Sequence, residues 1–132
     1  MTPKKITGIL NTISNSKKNG YALEALIKNY HLNIELVKFM LVSTRPDYSF
    51  EGKKLKTIIR EFSHEIGVNP ALKATINKKT FKLVKTWLDK MEDFFKHLRL
   101  EQPTSTKALL SDTEKIFAVL NISVNKLFVS KR

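Results

Sequence analysis

One segment constrains the fold more than any other, because its apolar residues recur at every third or fourth position from Lys79 to Leu100. That spacing places them on one face of an α-helix. The stripe consists of Phe81, Val84, Leu88, Met91, Phe95 and Leu98. Leu83, Trp87 and Phe94 widen it. The pattern therefore predicts one long helix at the centre of a bundle, with neighbours on two sides.

The first third of the chain predicts three shorter helices. Apolar spacing indicates a helix that starts near Ile6 and stops in the polar run 14–20. A second helix is predicted from Ala22 and is expected to end near His31. Asn33 is then expected to cap a third helix, because asparagine side chains accept hydrogen bonds from the first turn.

The rest of the chain adds further helices and no strand. The segment 53–66 predicts a helix that stops at Gly67, and Asn69-Pro70 predicts the start of the next helix. The last third is expected to be divided by a loop at 101–106, a capping box at 111–114 and a break at 121–123. We therefore predict an all-α fold, a compact bundle of about six to eight short helices around the one long helix.

The composition fits one small domain without covalent crosslinks. The chain has 132 residues, 42% of them hydrophobic, and residues 1–132 are expected to form a single helical domain. The absence of cysteine excludes disulfides and fits a reducing compartment. We expect a cytoplasmic protein, nucleoid-associated if bacterial or viral and nuclear if eukaryotic. No signal-peptide core or membrane-length apolar run occurs, so no membrane partner is expected.

Patterns that would indicate catalysis or a cofactor are weak. The four glycines cannot form either common glycine-rich phosphate loop. Arg60 and His64 share one helical turn, but no second polar partner accompanies them. The three histidines lack metal-ligand spacing, and the acidic residues within 89–93 are spaced for ion pairs with lysines. We expect a protein that is not an enzyme and has no cofactor and no metal site.

Three segments share the order of a helix end, a short turn with one apolar residue, a polar cap and a second amphipathic helix. They are 27–37, 65–73 and 119–127. Each resembles the turn of helix-turn-helix DNA-binding proteins, where a tight turn needs a residue that tolerates left-handed φ. Only the middle segment has glycine there, Gly67, whereas His31 and Asn121 occupy that place in the others. The resemblance implies DNA binding by the residues that follow the turn.

The residues after the middle segment are basic. Lys78, Lys82 and Lys85 are spaced to share the face of the long helix opposite its apolar stripe. Lysine and asparagine side chains contact phosphates and base edges. The candidate nucleic-acid-binding residues are Lys73, Asn77, Lys78, Lys79, Lys82 and Lys85. We refer to the five lysines of this set as the lysine patch. Tyr48 and Phe50, in a predicted exposed loop, are candidates for base stacking.

The charge balance favours a polyanionic partner. The chain carries 24 Lys and Arg against 12 Asp and Glu, a formal net charge of +12. We therefore predict a non-enzymatic nucleic-acid-binding protein with a regulatory or architectural role, which contacts DNA or RNA electrostatically. The alternative of a lysine-rich solvated surface without a ligand stays open.

A second resemblance points to another class of protein. It is carried by the segments 22–27, 32–37, 52–58 and 81–87. Together they are similar to the N-terminal docking domain of the elongation factor TFIIS, with 61–79 as an insertion and the last thirty residues additional. The resemblance implies a helical bundle that binds short disordered peptides, with Trp87 in the bundle rather than at the ligand. The alternative function is therefore a protein-docking module, transcription-factor-like or a phage or plasmid inhibitor of a host complex, with an acidic partner.

Overall fold

Six helices make up the fold of this protein. The structure, a computed structural model, describes the backbone of residues 2–96 and 103–130 and the side chains of 2–96 and 106–127. The helices are α1 (Pro3–Lys18), α2 (Ala22–Thr44), α3 (Leu55–Val68), α4 (Pro70–Thr75), α5 (Lys78–Lys96) and α6 (Pro103–Ser130). No strand occurs in these described ranges, so the predicted all-α fold is confirmed.

Helix α2 occupies the middle of the packing. It packs against α1, α3, α4 and α6, and its largest interface is with α6. Its buried residues lie around much of its circumference, as expected of a helix enclosed by neighbours. They are Ala25, Leu26, Asn29, Leu32, Asn33, Ile34, Leu36, Val37, Met40 and Leu41.

The helix predicted at the centre of the bundle is instead a one-sided helix. The described part of α5 has 19 residues, fewer than the 23 of α2 and the 28 of α6, and residues 97–100 of the predicted helix lie outside the described residues. Phe81, Val84, Trp87 and Met91 are buried, but Leu83 is 57% exposed. A sharply one-sided stripe is typical of a helix that covers a core, so the central placement is not confirmed, although α5 does pack against both α3 and α6.

Three predicted breaks are absent, and a polar residue at each of them hydrogen-bonds in the interior. Helix α2 continues through His31, and the Asn33 amide donates to the backbone carbonyl of Thr113 at 3.1 Å. Helix α6 continues through 111–114 and 121–123. Within it, the Ser123 hydroxyl donates to the backbone carbonyl of Thr75 at 3.1 Å. A polar residue that donates a hydrogen bond to a carbonyl of a neighbouring helix can therefore resemble a helix cap in the sequence.

Helix α1 ends at Lys18, inside the polar run 14–20 where its stop was predicted, and two other boundaries differ from the prediction. Within that run Ser16 is buried against α2 and accepts a hydrogen bond from Lys28 Nζ at 3.1 Å. The chain then turns at Gly20, whose φ is +79°. Residues 103–106 of the predicted loop belong to α6, and 101–102 lie outside the described residues. Gly67 is helical, and α3 ends one residue later.

Buried side chains from all six helices form one connected core. Tyr30 lies at its edge, with its ring centroid 5.7 Å from that of Trp87 and 5.3 Å from that of Phe95. These contacts join α2 to α5 through aromatic packing. Within the described helices, none has the length and apolar character needed to cross a bilayer.

Candidate functional site

The lysine patch is carried by α4, the turn after it and the first two turns of α5. Leu72 and Ile76 are 0% and 2% exposed, and Phe81 is 7% exposed. These side chains fix the backbone from the inner side, while the hydrogen bond from Ser123 to Thr75 joins the end of α4 to α6. The patch therefore lies on helices that pack against the core rather than on a free loop.

All six candidate residues are at the surface. Lys73 lies on α4, Asn77 precedes α5, and Lys78, Lys79, Lys82 and Lys85 lie on α5, and each is exposed. Lys78, Lys82 and Lys85 share the face opposite the buried stripe, as the spacing predicts. Four of the five patch lysines thus lie within about two turns of α5, and Lys73 lies on the helix before it.

The lysine patch belongs to the basic residues that form no ion pair with a described side chain. Eight ion pairs connect described side chains, among them Lys17 with Glu114, Arg45 with Glu65 and Lys90 with Asp112. None of these eight pairs includes a patch lysine. From Ile66 to Leu88 the sequence has no Asp or Glu. The lysines of the patch therefore form no ion pair with a described carboxylate.

Acidic residues limit the patch along α5. Asp89 follows Lys82 by seven positions, so it lies on the same exposed face of the helix. Glu92 is held by Lys56 at 3.3 Å and by Lys96 at 3.6 Å. These lysines lower the pKa of Glu92, with Lys56 as the larger cause. The exposed face of α5 is thus basic in its first half and mixed in its second.

Asn77 has a structural task at the start of α5. Its Oδ1 accepts a hydrogen bond from the backbone N–H of Thr80 at 2.7 Å, and its backbone carbonyl accepts one from Phe81 at 3.0 Å. Asn77 is therefore the N-cap of α5. Its side-chain oxygen is occupied, which leaves the amide N–H groups to face solvent.

Of the three helix-turn-helix-like segments, the middle one alone falls at a break between described helices. Segments 27–37 and 119–127 lie inside α2 and α6. At the middle segment the break is made by Asn69 at φ −91° and ψ 114°, and Gly67 has no positive φ. The left-handed glycine expected at this turn is absent because Asn69 and Pro70 redirect the chain.

Asn69 holds the α3–α4 junction by contacts to three elements. Its Oδ1 accepts hydrogen bonds from the N–H groups of Ala71 and Leu72 at 3.0 and 3.3 Å. Its Nδ2 donates to the Thr44 carbonyl at 3.2 Å, and Glu65 lies at 3.4 Å. The Asn69-Pro70 pair correctly predicts the cap of α4, but no local pattern in the sequence predicts the contact of Asn69 with the end of α2.

We expect Asn69→Ala to cost about 2 kcal/mol of unfolding free energy, because it removes a cap and leaves the Thr44 carbonyl without its donor. Asn77→Ala removes a cap with no second contact and is expected to cost about 1 kcal/mol. Urea denaturation followed by circular dichroism measures both. Equal losses in the two variants would show that the Thr44 contact contributes nothing.

The predicted stacking residues are placed differently from the expectation. Tyr48 is 8% exposed and Phe50 is half-buried, with their ring centroids 5.0 Å apart. Lys53 Nζ lies 4.3 Å from the Tyr48 ring centroid. The Tyr48 hydroxyl has no hydrogen-bond partner of ordinary geometry, and burial together with nearby Glu61 raises its pKa to about 12. The prediction of an exposed pair of stacking rings was wrong, because the two rings pack against the protein and against nearby basic side chains.

A groove between α1, α2 and α6 is a second concave feature. It encloses about 480 Å³, and its lining includes Leu10, Asn29 and Phe117. Across it, Lys17 Nζ and Glu114 Oε2 form an ion pair at 2.9 Å. Because these opposite charges neutralise each other, we expect the groove to attract a charged ligand less than the lysine patch does.

Comparison with protein-family models, with curated proteins and with solved structures finds no match to this chain.

Proposed function

We propose that this protein is a non-enzymatic nucleic-acid-binding protein with a regulatory or architectural role. The observation that carries the proposal is the lysine patch, five exposed lysines on α4 and the first turns of α5, none of which joins an ion pair between described side chains. Clustered cations of this kind attract phosphate groups over long range.

Counterion release gives the proposal a quantitative form. Each phosphate that a lysine neutralises releases condensed cations from the nucleic acid, so binding weakens as salt rises. If all five patch lysines contact phosphates, the logarithm of the binding constant falls against the logarithm of salt with a slope of about −4.5 for a duplex. Between about 50 and about 200 mM salt this corresponds to a loss of roughly 500-fold in affinity.

Fluorescence anisotropy with labelled nucleic acids over a salt series tests the proposal. We expect binding at low salt and a steep decrease close to that slope. Absence of binding at low salt, despite a net charge of +12, would contradict the proposal. It would favour the protein-docking alternative, in which the lysine patch meets an acidic peptide or protein surface. Pull-down with and without nuclease separates the two, because a partner bridged by nucleic acid disappears after digestion.

The helix-turn-helix and TFIIS resemblances stay hypotheses about this chain. Trp87 is 2% exposed, as the docking-domain resemblance implies, but a buried tryptophan is common to many helical bundles. The proposal depends on the lysine patch and not on either resemblance.

A further inference from the structure

We infer that the ligand of the lysine patch is the phosphate backbone of a double helix, bound without sequence preference. This inference rests on the proposed function and narrows it to one class of nucleic acid. It depends on three features of the site: charge density, the placement of aromatic rings and the chemistry of the exposed groups.

The charges of the patch are closely spaced. Lys78 and Lys85 are seven residues apart on α5, which is about 10 Å along the helix axis. Four patch lysines fall in this interval. A duplex carries one negative charge per about 1.7 Å of its axis, and each strand one per about 3.4 Å. About six phosphates of a duplex, and about three of one strand, therefore lie within the same length.

The aromatic rings of α5 nearest to the lysine patch are packed into the core. Phe81 and Trp87 are 7% and 2% exposed, and the Trp87 indole N–H donates to Thr113 Oγ1 at 2.8 Å. Among the described Phe, Tyr and Trp side chains the one exposed ring belongs to Tyr21, which precedes α2, and the two described histidine rings, on α2 and α3, are also exposed. Proteins that bind single strands without sequence preference combine a basic groove with rings on which bases stack. The patch supplies the charge, whereas its neighbouring rings are used in packing.

The exposed groups of the patch suit phosphates better than base edges. Lysine is a compact point charge that donates hydrogen bonds and accepts none. An asparagine reads adenine by using its oxygen and its nitrogen together, but Asn77 Oδ1 is already the cap of α5. Contacts of this kind position a duplex and carry no sequence information.

Anisotropy titrations with oligonucleotides of one length test the inference. The probes are two DNA duplexes of equal composition and different order, one RNA duplex, and unstructured single strands of DNA and RNA. We expect the favoured duplex to bind at least about tenfold more tightly than its own strands, with the two DNA duplexes within about twofold of each other. Whichever of the DNA and RNA duplexes binds more tightly identifies the kind of nucleic acid that supplies the phosphate backbone.

Lys82→Gln supplies a matched variant. It is expected to weaken binding to both DNA duplexes by the same factor and to reduce the salt slope by about 1. Lys115→Gln, an exposed change on α6, is expected to leave the slope unchanged.

The outcomes separate this inference from the proposed function. If no probe binds at low salt, both fail. If single strands bind as tightly as duplexes, or if the two DNA duplexes differ more than about tenfold, the protein still binds nucleic acid but the inference is wrong.

Discussion

Changing Lys78, Lys82 and Lys85 together to Glu is expected to lower the affinity for duplex DNA by more than about 100-fold. Under the proposed function, each change removes a lysine that is expected to contact a phosphate and replaces it with a repelling carboxylate. The salt slope should fall from about −4.5 to about −2, because Lys73 and Lys79 are left. All three side chains are exposed on α5, so the helical content measured by circular dichroism should stay the same.

A matched variant separates the lysine patch from net charge. Changing Lys4, Lys5 and Lys18 to Glu alters three exposed lysines of α1, which packs on α2. Both triple variants have a formal charge of +6, because each change removes two units from +12. We expect the α1 variant to lose less than about tenfold in affinity, through long-range attraction alone. Equal losses in the two variants would mean that net charge binds the nucleic acid and that the patch is not the site.

The second large effect is expected in the core, where Trp87→Ala should cost about 3–5 kcal/mol of unfolding free energy. Trp87 is 2% exposed, and its indole N–H donates to Thr113 Oγ1. The Thr113 hydroxyl in turn donates to the Leu109 carbonyl at 2.7 Å. The change therefore leaves a large cavity and removes a buried hydrogen bond between α5 and α6. A domain with an ordinary stability of about 5–15 kcal/mol would become marginal.

Urea denaturation of the unsubstituted protein and of the Trp87→Ala variant measures this loss, and Leu83→Ala is the control. Leu83 lies one turn before Trp87 on the same helix but is 57% exposed, so its truncation is expected to cost less than about 0.5 kcal/mol. Trp87 is also the single tryptophan of the chain, so its fluorescence reports the environment of this site directly. A Trp87→Ala variant as stable as the Leu83→Ala variant would show that the indole does not hold α5 on the core.

Apolar spacing predicted the burial of Phe81, Val84, Trp87 and Met91 on α5, although it also included Leu83, which is exposed. Charge spacing predicted which lysines of α5 are exposed. Both predictions depend on the period of the helix itself, so they need no information from other elements. The cap at Asn69 was predictable for the same reason, because Pro70 and the first-turn N–H groups are local. The exposure of Lys78, Lys82 and Lys85 follows directly from this local geometry.

The errors concern polar residues whose partners are distant in sequence. Asn33 and Ser123 were interpreted as marks of helix ends, but they donate to carbonyls of Thr113 and Thr75 across helix interfaces. A local pattern cannot distinguish an asparagine that caps a helix from one that serves a buried carbonyl. The central position of α2 was missed for a related reason, because a helix covered on several sides has no single apolar stripe.

The contact between Asn33 and Thr113 has a consequence for synthesis of the chain. The two residues are 80 positions apart, and the interface of α2 with α6 is the most extensive between the described helices. At about 5–20 residues per second, a ribosome needs roughly 4–16 s to pass from one to the other. During that interval the apolar surface of α2 lacks its main cover, which exposes the nascent chain to aggregation and to chaperones. Burial of α2 therefore depends on α6, which is synthesised after the five other described helices.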